Sequence, residues 1–306
     1  MINLPKWNAD EWLYKFDYAK TMGNTRDIRM EVFQHTCDVV EEGQYISDEG
    51  NPVTLELNES ALEDNDFCDD WFCLTDQERL EKKTRIDVVE SDCLMAARQM
   101  LKEDPTDDLC VLNMASPSNP GGGVFYGAGA QEEYLFRCSD YYRFLFQYAR
   151  SFDSNIYGIP RNQEHRYPFK NDNSGIFSHG VTVFRGPENQ GYPLINDPWR
   201  VNMIAVAAFP LPEGLTRIPD SLVERTKERI RTIFRLAYQN GQRRLVLGAF
   251  GCGAFCNPPD HMANLFKEVL NEEEFVYIFR QIRFAILEDH NSSGENYATF
   301  SDVFNV

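Results

Sequence analysis

Positive charge is in short supply along this chain: 30 lysines and arginines stand against 48 aspartates and glutamates, a formal net charge of −18 over 306 residues. Such a deficit excludes broad nucleic-acid binding, which needs basic side chains to neutralise phosphates, so no DNA partner is expected. Long apolar runs are missing as well. No stretch approaches the roughly 20 residues of a membrane span. The opening segment MINLPKWNADEW carries no basic region followed by an apolar one. No membrane association is expected, and a soluble, intracellular, cytoplasmic location is. Cysteine pairing is absent too: the eight cysteines, at 37, 68, 73, 93, 110, 138, 252 and 256, form no C-x-x-C. They read as reduced core thiols rather than a disulfide framework. No histidine pair joins Cys252 and Cys256, so no zinc site is expected there.

What the chain does contain is an ordinary globular balance, 42% hydrophobic and 25% charged, enough for a substantial core. Its most informative stretch is Asn119-Pro120-Gly121-Gly122-Gly123, followed after seven residues by Gln131-Glu132-Glu133. Three consecutive glycines leave the backbone bare, so a ligand can approach the amides closely. Tyr134, Leu135, Cys138, Tyr141, Tyr142 and Leu145 then recur at the spacing of one helix face. The acidic pair therefore falls in the first turn of a helix beside a glycine loop, a combination of candidate acid/base groups and a natural anion site. The same pattern also suits a surface turn before an amphipathic helix, because acidic residues favour the N-terminal end of the helix dipole. Adjacent helical residues point about 100° apart, so Glu132 and Glu133 must play different parts.

A second glycine loop follows a short apolar strand, RRLVLGAF, at residues 243–250. It reads Gly251-Cys252-Gly253-Ala254-Phe255-Cys256-Asn257-Pro258-Pro259, and a helical pattern opens with Met262, Leu265, Phe266, Val269 and Leu270. Strand, glycine loop and helix N-terminus present backbone amides to phosphate. It is not a P-loop, for no Gly-Lys-Ser/Thr ends it, and the G-x-x-G-x-G order fits a dinucleotide fingerprint poorly. Two such loops suit a ligand with a diphosphate between two larger groups.

The spacing GGG-x7-QEE, within VLNMASPSNPGGGVFYGAGAQEEYLFR, resembles the signature of microbial-type poly(ADP-ribose) glycohydrolases, which are macrodomains. Further segments are similar in order and spacing: residues 26–50, 86–99 (IDVVESDCLMAARQ), 177–185 (FSHGVTVFR), 198–201 and 247–258 (LGAFGCGAFCNP). The likeness runs from about residue 24 to 289. It implies an α/β fold: a three-layer α/β/α macrodomain with a mixed, largely parallel central sheet and an N-terminal helical extension. The implied division is an extension at 1–23, a catalytic domain at 24–290 and a C-terminal tail at 291–306. The resemblance implies cleavage of the ribose–ribose bond, with Glu133 as general acid and base, Glu132 holding the neighbouring ribose and Gln131 supporting both. It further assigns Asn119 to the distal ribose, Gly121, Gly122 and Gly123 to substrate binding, Gly251, Cys252, Gly253 and Ala254 to the diphosphate, and Phe255 to positioning the distal ribose. No cofactor and no metal are implied. The partners would be ADP-ribosylated proteins, with ADP-ribose as product. Where the family has Ser-Pro-Asp-Val before the VFR motif, this chain has Ser178, His179, Gly180 and Val181, which puts the shape of that part of the site in question. Two alternatives stay open: a mono-ADP-ribosyl hydrolase acting on arginine, and an ADP-ribose-binding module without turnover. The acidic surface argues for short or terminal ADP-ribose groups over avid binding of long chains.

Elsewhere the patterning predicts a helix over 25–42 capped by Asn24 or Thr25, a strand at 86–89, a helix from a Ser91 cap to 102, a strand at 109–113, a strand at 201–209, a helix at 220–240 and a strand at 283–287. The β-α-β order implies parallel pairing. Residues 150–175 read as a polar, irregular lid or rim, the aromatic-rich lead with Trp7, Trp12, Tyr14, Phe16 and Tyr18 as a packing element, and the tail shows no strong pattern.

Overall fold

The computed structural model describes residues 4–150, 157–288 and 294–304. Two compact units emerge. One comprises Met1–Asn65, Ser118–Pro168 and Ser178–Val201; the other comprises Asp66–Pro117, Phe169–Phe177 and Asn202–Val306.

In chain order the elements are α1 (Ala9–Thr21), α2 (Arg26–Glu42), β1 (Gln44–Ile46), β2 (Pro52–Thr54), β3 (Asn65–Cys68), β4 (Arg85–Val89), α3 (Cys93–Glu103), β5 (Leu109–Met114), α4 (Gln131–Cys138), α5 (Tyr142–Leu145), β6 (Gly175–Arg185), β7 (Leu194–Val206), α6 (Asp220–Gln239), β8 (Arg244–Leu247), α7 (Pro259–Leu270), β9 (Gln281–Ala285) and α8 (Asn296–Phe304). Seven strands form one sheet in the order β3-β6-β7-β5-β8-β9-β4, and β1 pairs antiparallel with β2 separately. Pairing is parallel from β7 through β5, β8 and β9 to β4. Central parallel strands are covered on both faces and read as continuous apolar runs. All four residues of β8 are buried, and so are the first five of β5. The fold class is therefore α/β, with a mixed sheet flanked by helices.

The core of the second unit follows from helical periodicity. The helix α6 buries Ile230, Ile233, Phe234 and Ala237, which pack with Phe266 of α7 and Phe284 of β9 in one cluster. The tail contributes as well: Phe300 and Phe304 on α8 lie 5.3 and 4.6 Å from the Phe284 ring. Tyr297 and Val303 of the same helix pack against this cluster too, but nine residues span too few turns for the pattern to stand out in sequence.

Several expectations need correction. The apolar stripe from Tyr134 to Leu145 is not one helix: α4 stops at Cys138 and α5 starts at Tyr142. Ser139 between them is extended, bridges Val183 of β6, and donates its hydroxyl to the Leu135 carbonyl at 2.7 Å. Tertiary pairing with the strand outcompetes helical propensity there. The cap of α3 is Asp92, whose carboxylate accepts from Met95 N at 2.9 Å, and not Ser91. Thr25 precedes α2 without capping it, its hydroxyl instead accepting from Arg29 Nη1 at 3.1 Å. The polar stretch at 150–175 includes residues 151–156, which lie outside the described residues. In the aromatic lead, Trp12 and Phe16 are buried, whereas Tyr14 and Tyr18 face solvent.

The first unit holds a pH-sensitive joint. His35 Nδ1 accepts from Arg185 Nη2 at 2.6 Å, which leaves the proton on Nε2, facing the Lys6 carbonyl at 2.8 Å. Burial, then the Arg185 charge, pulls the imidazole down to about 4. A base whose folded pKa is depressed contributes stability above its unfolded value, about 6.5, and loses it as pH falls toward 4. The thermal unfolding midpoint of the wild type should therefore fall more steeply between pH 7 and pH 4.5 than that of His35→Asn. Parallel curves for the two proteins would refute the assignment.

Candidate active site

The helix α4 begins at Gln131, so Glu132 and Glu133 are its second and third residues and share its first turn. Both are buried, at 3% and 6% exposure, an unusual position for carboxylates that requires partners. The glycine loop supplies them. Gly121 N donates to Glu132 Oε1 at 3.0 Å, and Gly123 N donates to Glu133 Oε1 at 2.7 Å. Gly122 N donates to the Asn119 carbonyl at 3.1 Å. All three glycine amides are thus engaged within the loop, and the bare backbone serves the carboxylates first. Steric demands are equally specific. Gly121 and Gly122 have φ of +76° and +55°, and a Cβ on Gly122 would press into the Glu133 carboxylate and come within 3.0 Å of Glu132 Oε2. A Cβ on Gly121 would lie 2.7 Å from the Phe136 ring.

Glu133 is held by one oxygen only. Its Oε2 is buried and has no hydrogen-bond partner among the described residues. A buried polar oxygen without a partner costs about 1–3 kcal/mol, so the fold keeps it against a penalty. An oxygen so held is suited to exchanging a proton with a bound molecule.

The seven-residue spacer is shaped by α2. Gly127 has φ of +65°, and a Cβ there would run into the Arg26 backbone; one on Gly129 would lie 2.6 Å from the Arg29 guanidinium carbon. Arg137, one turn beyond Glu133 on α4, is fully buried and donates through Nη1 to the Ala128 carbonyl at 2.8 Å. Sequence reasoning missed Arg137. An arginine near the end of a short helix reads as a surface residue complementing the dipole, although its place among Leu135, Phe136 and Cys138 was a signal.

The second glycine loop belongs to the other unit. Gly251 has φ of +72°, and a Cβ there would meet Ala208 Cβ at 2.5 Å and Asn257 Nδ2 at 2.6 Å. Asn257 is the organiser that sequence reasoning passed over. Its Nδ2 donates to the carbonyls of Phe209 (2.7 Å), Gly251 (3.1 Å) and Phe255 (3.2 Å), lacing the loop directly before Pro259 opens α7. Inside the loop Cys252 is buried, Ala254 is exposed, and Gly253 and Phe255 are half-buried. Burial pushes the Cys252 thiol up, away from nucleophilic reactivity. Asn119 is exposed at the mouth of the first loop, and Gln131 is half-buried. His179 is half-buried on β6, its N–H donating to the Asp64 carbonyl at 3.0 Å.

Comparison with known proteins bears on this arrangement. The family described as microbial-type PARG, catalytic domain, matches residues 33–186, half of the chain. The chain belongs to the microbial-type poly(ADP-ribose) glycohydrolase family. The crystal structure of poly(ADP-ribose) glycohydrolase (PARG) from Thermomonospora curvata is similar at 27% identity and a TM-score of 0.71, covering 91% of this chain and 100% of that one. The same enzyme bound to the inhibitor ADP-HPD matches at 28% identity and a TM-score of 0.67, over 90% of this chain and 99% of that one. A PARG from Deinococcus radiodurans in complex with ADP-ribose matches at 31% identity and a TM-score of 0.56, over 72% of this chain and 84% of that one. No curated protein sequence matches. The family match contains both GGG and QEE, whereas the second glycine loop lies beyond it. Among the described residues of this family member, no helix is long and apolar enough to cross a membrane.

Proposed function

We propose that the chain is a glycohydrolase that removes ADP-ribose from poly(ADP-ribosyl)ated proteins by cutting the ribose–ribose O-glycosidic bond, with Glu133 as general acid and base. The observation that carries this reading is the asymmetric hold on Glu133: Oε1 is fixed by Gly123 N while Oε2 is buried and unpartnered among the described residues. Relatives captured with ADP-ribose and with the inhibitor ADP-HPD support it. In the first step Glu133 gives its proton to the departing ribose oxygen as the anomeric carbon gains oxocarbenium character. In the second, the Glu133 carboxylate takes a proton from water as that water attacks the anomeric carbon. Glu132 holds the neighbouring ribose, and Gln131 and Asn119 complete the ribose contacts. Gly121, Gly122 and Gly123 seat the two carboxylates. Gly251, Cys252, Gly253 and Ala254 form the loop that holds the diphosphate, with Cys252 N itself donating to the Ala249 carbonyl at 2.9 Å, and Phe255 positions the distal ribose. The catalytic domain spans residues 24–290, with an extension before it and a tail after it.

The test is incubation with poly(ADP-ribosyl)ated protein and with arginine-mono(ADP-ribosyl)ated protein, with released ADP-ribose quantified by mass spectrometry. Release from the polymer alone is expected. Release from the arginine conjugate would reassign the linkage, and binding of ADP-ribose with no release from either would make the chain a reader.

A further inference from the structure

The N-terminal helix α1 lies outside the matched family region, yet its buried face rests on groups that reach the catalytic helix. Arg137 lies four residues after Glu133, on the same face of α4. Besides holding the Ala128 carbonyl, it donates through Nε to the Tyr192 hydroxyl at 2.8 Å. That hydroxyl in turn donates to Glu188 Oε2 at 2.7 Å. Arg29 closes the chain with a two-pronged grip on Glu188, Nε to Oε2 at 2.9 Å and Nη2 to Oε1 at 2.8 Å. Arg137 and Tyr192 are fully buried, Arg29 nearly so. Burial pushes the Glu188 carboxyl up, but the Arg29 hydrogen bonds and charge, with Arg137 and Tyr192, outweigh it, and its pKa lies below the ordinary value. The Tyr134 ring, directly after Glu133, packs on Tyr192 at 6.3 Å.

Two links on the far side of this chain, Tyr192 and Arg29, touch the N-terminal segment. The Trp12 ring meets the Tyr192 ring edge-on at 5.1 Å and 83°, while its Nε1 donates to the Ile28 carbonyl at 3.0 Å. Phe16 lies 5.0 Å under the Arg29 guanidinium. Trp7 Nε1 donates to the Gly191 carbonyl at 2.8 Å, next to Tyr192. Gly191 itself, at φ +78°, sits so close to α1 that a Cβ would come within 2.9 Å of the Ala9 carbonyl carbon.

We propose that α1 is a positioning element for the catalytic helix, acting through Trp12 and Phe16 on the Tyr192–Glu188–Arg29 chain that fixes Arg137 and, with it, the register of Glu133 against the glycine loop. The proposal rests on the glycohydrolase reading of Glu133. Rings and bidentate ion pairs are stiff contacts, and a buried network with every group satisfied has one favoured arrangement. Loosening it lets α4 rotate or slide by a fraction of an ångström, and misplacement of about 1 Å can lower turnover about 100-fold without touching the ligand.

The experiment uses the full chain with Tyr192→Phe, Trp12→Ala and Trp12→Phe. For each, kcat and KM on poly(ADP-ribosyl)ated protein, ADP-ribose affinity by calorimetry, and amide hydrogen exchange across residues 119–137 are measured below the melting midpoint. Tyr192→Phe and Trp12→Ala should each lower kcat about 10- to 100-fold with KM and ADP-ribose affinity nearly unchanged. Exchange at Gly121 and Gly123 should rise in both, and Trp12→Phe, which keeps a ring on Tyr192, should restore most of kcat. Unchanged kcat in folded Tyr192→Phe, whether or not exchange rises, overturns the proposal, as does a loss confined to KM. If Trp12→Ala does not fold, Tyr192→Phe, which removes a single oxygen, decides. If the wild type itself releases no ADP-ribose, the reading of Glu133 fails, and exchange alone then tests the coupling, with unchanged exchange overturning it.

Discussion

Glu133→Gln should lower release of ADP-ribose from the polymer about 10²–10⁴-fold, the usual contribution of a positioned general acid, while leaving ADP-ribose affinity within about threefold. The substitution is nearly isosteric, and the geometry tolerates it. The glutamine carbonyl can accept from Gly123 N as Oε1 does at 2.7 Å, and its amide takes the place of the buried Oε2. The loop, the neighbouring Glu132 and its bond from Gly121 N all persist. What disappears is the ability to give a proton to the leaving oxygen and to take one from water. Turnover by mass spectrometry and affinity by calorimetry should therefore separate cleanly. Retention of more than about a tenth of wild-type turnover would remove Glu133 from the role, because the general-acid share would then be too small to be one. Loss of binding together with turnover would instead mark Glu133 as a ligand contact.

The glycine triplet and the acidic pair were legible in sequence because each is an extreme local choice: residues with no side chain, then two carboxylates at a helix start. Their relation was not. Spacing places GGG and QEE near each other but says nothing of which amide meets which oxygen, and the amides turn out to serve Glu132 and Glu133. Central strands such as Leu109–Met114 announce themselves as apolar runs, as does the periodic helix Asp220–Gln239. The short strands β1, β2 and β3 carry three or four residues each, too few for a period to show. The break at Ser139 and the choice of Asp92 over Ser91 as a cap depend on a distant strand in one case and on backbone angles in the other. The Arg137–Tyr192–Glu188–Arg29 chain was illegible for the same reason. Its members lie far apart in sequence, and each alone reads as an ordinary polar or aromatic residue.

Gly122→Ala should abolish most turnover and lower the melting midpoint, by two separable effects. The first is backbone strain: φ is +55° at Gly122, and an L-residue there costs about 1–2 kcal/mol. The second is contact, for the new methyl would displace the Glu133 carboxylate and crowd Glu132 Oε2 at 3.0 Å. Those oxygens are not free ends that can swing into water. Both residues are buried and anchored by Gly121 N and Gly123 N, so relief requires breaking an anchor or shifting α4. Gly43, the C-cap of α2, supplies the control, with φ of +68° and nothing within 4 Å of the place a methyl would take. Gly43→Ala should show the strain alone: a drop of about 2–3 degrees in the midpoint, as expected for about 1–2 kcal/mol, with kcat unchanged. Gly122→Ala should show a comparable or larger drop together with a loss of kcat of about 100-fold or more, since the methyl pushes on the anchored Oε1 and so shifts the carboxylate proposed to exchange the proton. Equal kcat in the two variants would mean that the carboxylates relax at no functional cost, and the glycine at 122 would then be there for its backbone angle alone.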